Sequence, residues 1–346
     1  MTNQSSVGSY RSKLRALNAA QPLTVHLELT YACNWRCVFC YNPRHFDRNR
    51  LTADEWISVL DELRALGTLT ITLTGGEPLA SPDFFTIAEA ARARAFALRI
   101  FSNASLIDDR CADRIAALLP LAVEVSIHGA TADVHDATTA KPGSFDTAMQ
   151  GIERLLARNV NVVVKSPITN LNEHQIEDII AFAAQRDLAL QIDPHITPRD
   201  DGDTGPLRYA ASRDAVRRVI AAGLGSGPVP LAERSPGGVN CGIGRITMAI
   251  DPEGNVFPCM QWRQRSLGNV RETPLRELWH ASPVRQEAAA MSVAVNDHLL
   301  QQGGALALYP FCPALAMQET GDPMIPDAGF LVRAEVAAEL RAAEER

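Results

Sequence analysis

The 346-residue sequence contains no run of about 20 apolar side chains, so no stretch of it reads as a membrane span. Its start, "MTNQSSVGSYRSKLRALNAAQ", is polar and basic and lacks the apolar core of a secretory signal. It also lacks an excess of positive charge. A net charge of −7 argues against broad binding of nucleic acid or of acidic membranes. Repeats are absent, and alanine richness is the nearest approach to low complexity. These absences predict a soluble, cytoplasmic protein with no nucleic-acid and no membrane partner. In a reducing compartment its seven cysteines suggest metal binding or catalysis more than disulfides.

What the chain does contain is alternation. Short β-rich runs at 25–29, 69–73, 98–101, 122–127, 160–165 and 188–193 are separated by stretches with a 3.6-residue apolar period. Trp56, Val59, Leu60 and Leu63 form one such face, and Phe145, Met149, Ile152, Leu155 and Leu156 another. Thr52 with Glu55 reads as a capping box and Asn172 with Gln175 as a similar pair; Ser81-Pro82 puts proline at a first helical position. Six βα units predict an α/β fold with a parallel sheet and right-handed crossovers, the last helix at 213–222. "GLGSGPVPLAERSPGGVN" then reads as a linker, with a boundary near residue 223. Beyond it, 245–250 and 255–258 flank "DPEG" as a hairpin, with helices expected at 274–280 and 334–345. The expected divisions are a lead segment at 1–23, the α/β unit at 24–222 and a smaller unit at 223–346.

Three cysteines fall within eight residues after the first strand: Cys33, Cys37 and Cys40, in "TYACNWRCVFCYN". The spacing is CxxxCxxC. A structural zinc site wants four ligands, with His45 as one source of the fourth. A [4Fe–4S] cluster held by three thiolates keeps one iron open. Three small buried thiols without a metal are the remaining possibility.

This loop, with Phe39 before its last cysteine, resembles the radical S-adenosylmethionine (SAM) superfamily. "TGGEPL" after the second strand strengthens the likeness. The resemblance implies a partial (β/α)6 TIM-type barrel. It implies a [4Fe–4S] cluster on Cys33, Cys37 and Cys40 whose open iron binds SAM. Gly75, Gly76 and Glu77 would then hold the SAM amino group, with Phe39 beside the cofactor. Ser102 and Asn103 of "FSNA" would meet the ribose. Ser126 of "VSIHG", with Lys165 or Lys141 as the cation, would meet the carboxylate. Ile168 would lie under the adenine. The implied chemistry is one-electron cleavage of SAM to a 5′-deoxyadenosyl radical that abstracts a substrate hydrogen. A reductase, ferredoxin or flavodoxin would donate the electron.

A second set, Cys241, Cys259 and Cys312, resembles the ligands of a SPASM or twitch extension. Cys259 ends "GNVFPC", and "LGNVRETPLRELW" follows as it does in that family. The implied C-terminal unit is a small SPASM/twitch-like domain with a β-hairpin and helices. A full SPASM motif has seven cysteines. Here the CxxC expected before Cys312 is missing and none follows it, so one auxiliary [4Fe–4S] cluster is expected, its fourth ligand open. Cys111 stands alone in a helix and reads as structural.

Period-2 alternation puts His26, Glu28 and Thr30 on one face of the first strand, and Gln191, Asp193 and His195 on one face of the sixth strand and its exit. His26, Glu28, Asp193 and His195 are therefore candidate catalytic or substrate-binding groups, and Arg245, close after Cys241, is a further candidate to bind an anionic substrate group or stabilise the auxiliary cluster. The resemblance implies action on a ribosomally made precursor peptide. Only about 23 residues precede the first strand, so recognition is expected to need a separate leader-binding protein or contacts with the barrel. A small-molecule dehydrogenase, decarboxylase or cyclase is the alternative, favoured by the missing second auxiliary cluster. A non-catalytic metal scaffold is a third.

Overall fold

The computed structural model describes residues 17–224, 235–307 and 311–344. Residues 1–16 of the expected lead segment, 225–234 of the expected linker and Glu345 of the last expected helix lie outside the described residues.

Six parallel strands form in chain order: β1 (Thr24–Glu28), β2 (Thr70–Thr74), β3 (Ala97–Ser102), β4 (Ala122–Ser126), β5 (Val162–Pro167) and β6 (Ala189–Asp193). Helices α1 (Ala53–Ala65), α2 (Phe84–Ala93), α3 (Asp109–Ala117), α4 (Ala132–Thr139), α5 (Ser144–Leu156) and α6 (Ile176–Ala184) fill the crossovers, and α7 (Arg213–Ala221) follows β6. The capping box at Thr52 and Glu55 is present, with both reciprocal hydrogen bonds. Two other start signals are corrected. α2 begins at Phe84 with Asp83 as its cap, leaving Pro82 just upstream. Gln175 N–H donates to Asn172 O (2.9 Å), but the two side chains reach across space instead of forming a reciprocal cap. Asn172 Nδ2 reaches the carbonyls of His128 and Pro167, and Gln175 Oε1 accepts from Ala130 N–H, so both hold the exit of β4.

The strand registers sort side chains into two faces. Val25, Ile71 and Leu98 align in one outward row, and Leu27, Leu73, Ile100, Val123 and Val162 in the next. All are buried against helix residues such as Trp56, Leu60 and Leu63. Burying each such side chain contributes roughly 1.5–3 kcal/mol. The opposite parity is polar. His26, Thr72 and Arg99 form one row, Glu28 and Thr74 another, and Ser126, Lys165 and Gln191 a third, with Glu124 beside Phe101. The sheet curls until the exit of β6 meets the loop after β1, where Asp200 N–H donates to Tyr41 O (2.9 Å).

The C-terminal part joins this sheet. β7 (Thr247–Ile250) pairs parallel with β1 and antiparallel with β8 (Asn255–Phe257), and β9 (Gly268–Asn269) completes an order of β6-β5-β4-β3-β2-β1-β7-β8-β9. α8 (Leu275–Ala281), α9 (Pro283–Gln302), the single turn α10 (Gly304–Ala307) and α11 (Pro313–Thr320) follow. α12 (Ala328–Glu344) begins six residues earlier than the alanine-rich pattern predicts. It lies on α7, tied by Arg213 to Glu335 (2.6 Å) and Glu339 (2.5 Å). The last helix thus returns to the barrel. Among the described residues no helix is long and apolar enough to cross a membrane.

Candidate functional site

The three-cysteine loop is a built structure. Asp47 holds its two ends together, accepting from Thr30 Oγ1 (2.5 Å) and Tyr31 N–H (2.6 Å). Arg36 and Val38 N–H groups strap it to the carbonyls of Thr139 and Thr138 at the end of α4. Trp35 is buried edge-on to His135, and Phe39 edge-on to His128. Burial pushes the Cys33 thiol up to about 11, with Trp35 N–H opposing. Burial, and then the charges of the other two, push Cys37 up as well. Three such sulfurs could ionise together only around a cation, the environment a cluster supplies.

"GGEP" packs on this loop backbone to backbone. Gly76 N–H donates to Thr30 O (2.7 Å) and Glu77 N–H to Ala32 O (2.9 Å). A Cβ on Gly75 would lie 2.3 Å from Thr30 O, and one on Gly76 2.4 Å from Ala32 O. The glycines are needed for that approach. Glu77 has a different task from the expected ligand role. Its buried carboxylate accepts from Leu79 N–H (3.1 Å), Ser102 Oγ (2.9 Å) and Asn103 N–H (2.8 Å), which ties β2 to β3. Burial raises its carboxyl to about 7 against those hydrogen bonds. Asn103 Nδ2 continues the chain of contacts to Asn34 Oδ1 in the cysteine loop (2.8 Å).

These elements enclose one cavity of about 360 Å³, within the size range of small-molecule sites. Cys33, Cys37, Cys40 and Phe39 form one wall, and Gly75, Gly76, Ser102 and Asn103 the next. Ser126 and Lys165 line it on the far side, and Asp193 and His195 at the exit of β6. The residues predicted for this first site thus converge, with six exceptions, Lys141 among them. Glu77 is turned away as described. Ile168 is buried in a separate apolar cluster with Ile176, Ile179 and Ile192, because alternation along β5 turns Pro167, not Ile168, to the cavity. His26 and Glu28 are outside the lining, His26 edge-on to Phe101 and Glu28 taken up by Arg263. Arg245 sits before β7 beside Arg285 and Leu17 O, outside the cavity lining.

The electrostatics refine several roles. Lys165 is ion-paired to buried Glu124, and its ammonium lies over the Phe101 ring (3.6 Å). Arg99 binds the same carboxylate (2.6 Å). Two cations against one anion leave the floor positive. Burial and these cations lower the neighbouring His26 to about 4, so its imidazole is neutral. Lys141 is exposed at the turn between α4 and α5. Glu124 and Arg99 escaped the sequence reading, although Glu124 stands two residues before Ser126 on the same face.

The exit of β6 is clamped by the last helix. His195 Nε2 lies 2.8 Å from Asp327 Oδ1, the residue just before α12. Asp327 is buried, which alone would raise its carboxyl. The hydrogen bond and charge of His195 and the Phe330 N–H bring it below the usual range. A Cβ at Gly329 would stand 2.6 Å from the imidazole, so glycine makes room for the ring.

Cys241, Cys259 and Cys312 gather in a second apolar nest with Ile243, Trp262, Ala288 and Ala314. Ser292 Oγ accepts from Cys241 N–H (2.9 Å) and donates to Cys241 O (2.8 Å). Cys312 caps the N-terminus of α11, whose free N–H groups favour a thiolate. Burial, and then the other two thiols, push Cys259 up. Among the described residues no three His, Cys, Asp or Glu side chains converge as the ligands of a single metal ion would. Gln261 and Leu315, each close in sequence to one of these cysteines, reach the first cavity.

Two open thiol triads on a curled parallel sheet, one facing a cavity at the strand exits, define an iron–sulfur barrel protein. Comparison with known proteins gives the family. The radical SAM superfamily model matches residues 27–184, and an iron–sulfur cluster-binding domain, SPASM, matches 241–305. The chain belongs to the radical SAM superfamily and carries a C-terminal SPASM domain. The cofactors of these families are [4Fe–4S] clusters and SAM. The chain is 30% identical over 253 residues to mycofactocin maturase MftC of Mycobacterium ulcerans (69% of this chain, 68% of the relative). The match to the Mycobacterium tuberculosis counterpart spans 66% of that relative's length. It is 25% identical over 292 residues to the AdoMet-dependent heme synthase of Methanosarcina barkeri (76% and 83%). Streptococcus suis SuiB bound to precursor peptide SuiA shares the fold, with a TM-score of 0.69 at 16% identity over 95% of this chain and 82% of that one.

Proposed function

We propose that the protein is a radical SAM enzyme that abstracts a hydrogen from a ribosomally made peptide. The carrying observation is the single cavity into which Cys33, Cys37 and Cys40, the glycines of "GGEP" and the β6 exit all open. Cys33, Cys37 and Cys40 would hold the SAM-binding cluster, and Cys241, Cys259 and Cys312 an auxiliary one. When reduced, the first cluster supplies the electron that cleaves SAM to the radical. The chain's own residues bind and orient. Gly75 and Gly76 bring backbone beside the methionine end of SAM. Ser102 and Asn103 offer hydrogen bonds around the ribose, and Ser126 one to the carboxylate. Lys165, fixed by Glu124, leaves a net positive floor for a carboxylate. Residues 24–222 would form the catalytic unit and 223–346 the auxiliary-cluster unit. The electron would come from a reductase, ferredoxin or flavodoxin, and a leader-binding protein would present the peptide.

Peptide substrates are supported by the likeness to mycofactocin maturase. The likeness to a heme synthase favours a second reading, a small-molecule substrate. The test is anaerobic reconstitution, reduction with dithionite and assay of 5′-deoxyadenosine, alone and with short peptides encoded beside the gene. Nucleoside release with a peptide mass change is expected. Absence of 5′-deoxyadenosine under all conditions would remove the radical SAM activity. Release with no peptide altered would favour the small-molecule reading.

A further inference from the structure

Asp193 differs from every other carboxylate at the cavity. Glu124 is spent on Arg99 and Lys165, and Glu77 on three N–H and O–H donors. Asp193 stays 55% exposed while lining the cavity. One of its oxygens, Oδ1, is fixed. It accepts from His195 N–H (3.0 Å) and lies 3.5 Å from Arg333 Nη1. Oδ2 has no partner among the described residues. A carboxylate at a cavity wall with one oxygen pinned and the other unpartnered is available to a ligand.

The surroundings decide the ligand's charge. Arg333 also lies 3.4 Å from His195 Nδ1, while Asp327 holds His195 Nε2 at 2.8 Å. Asp327 is taken up by His195, and Arg333 lies 3.5 Å from Asp193 Oδ1, so Oδ2 is the carboxylate oxygen left to meet a ligand. Lys165, the nearest other cation along the strands, is engaged by Glu124 and by the Phe101 ring. The cavity is therefore polarised, positive at its floor, with a carboxylate oxygen presented at the exit of β6.

We propose that Asp193 reads the substrate, and that it selects a protonated nitrogen, an ammonium or guanidinium group. His195, Asp327 and Arg333 are positioning residues that hold Asp193 from the C-terminal helix. The proposal deepens the enzymatic reading above and rests on it only for taking this cavity as the substrate's.

The test uses the reconstituted, SAM-loaded protein and three matched probes: benzylamine, benzyl alcohol and benzoate. Saturation-transfer NMR gives their affinities. The protein should bind benzylamine about tenfold more tightly than the alcohol, and benzoate more weakly than either. Asp193→Asn should bring the amine and alcohol within about twofold of each other, and Asp193→Glu should restore most of the preference. Thermal melting shows whether each variant is folded, and a charge preference is not something misfolding would swap selectively. No amine preference in the wild type, or a preference that survives in Asp193→Asn, overturns the proposal. So does loss of SAM binding in Asp193→Asn, which would give the carboxylate to the cofactor. A wild type that never releases 5′-deoxyadenosine fails the enzymatic reading instead, and the amine result stands apart from it.

Discussion

Arg263, in the loop after β8, donates to Glu28 at the end of β1 across 2.6 Å, with side chains only 6% and 2% exposed. Asp200, from the exit of β6, approaches the same guanidinium at 3.5 Å. One arginine thus joins the loop of Cys259 to both ends of the barrel sheet. Phe257 lies under the guanidinium (4.8 Å), and Met260 O accepts from its Nε (2.9 Å).

Removing one partner of this pair should cost far more than removing both. Arg263→Met leaves Glu28 without a counter-charge in a dry site, a change expected to cost about 3–5 kcal/mol. Denaturant unfolding of the reconstituted protein measures it. The double variant Arg263→Met, Glu28→Leu should recover a large part of the loss. Equal losses in the single and double variants would show that the pair is not the source of the stability.

Gly76→Ala should act on the cluster loop before it acts on the fold. The added Cβ meets two carbonyl oxygens, Ala32 O at 2.4 Å and Tyr31 O at 2.5 Å, and neither is a flexible side-chain end. The loop must move. With two clusters the wild type should hold about eight irons per chain, and the variant about four. Iron analysis beside circular dichroism separates this from unfolding. A variant that kept both clusters would show that the loop tolerates displacement.

His26 should make the protein acid-sensitive before any carboxylate does. Its folded value is about 4 against 6.5 unfolded, so the unfolded chain binds more protons between those limits. Stability from this group is present above pH 6.5 and is lost as pH falls toward 4. By pH 5.5 the loss amounts to about 1.4 kcal/mol. Thermal melts from pH 8 to 5.5 should fall more steeply for the wild type than for His26→Gln. Parallel curves would place the imidazole in water.

The strands were legible to within two residues because β1 to β6 carry apolar side chains on one parity against the helices. The polar inner parity was legible on β1 and β6 for the same reason. The cysteine sets were legible from spacing. Other features depend on distant partners. Arg263 meets Glu28 from 235 residues away, and no local pattern joins them. Glu77 looked like a ligand because its motif says nothing of Ser102 and Asn103, which its carboxylate binds. The long helix α9 was missed because alanines and polar residues alternate around it without a clear apolar stripe. The pairing of β7 with β1 is a tertiary contact, invisible to periodicity.

That pairing has a consequence for how the molecule is made. Until Thr247–Ile250 leaves the ribosome, β1 has β2 on one side and an open row of N–H and C=O groups on the other. The cysteine loop at its end waits in the same condition, since Gln261, Leu315 and the clamp on His195 all arrive later still. A shortened chain ending near residue 222 would present a bare strand edge beside three unprotected thiols. Completion of the sheet and covering of the cysteine loop therefore both wait on the C-terminal part of the chain.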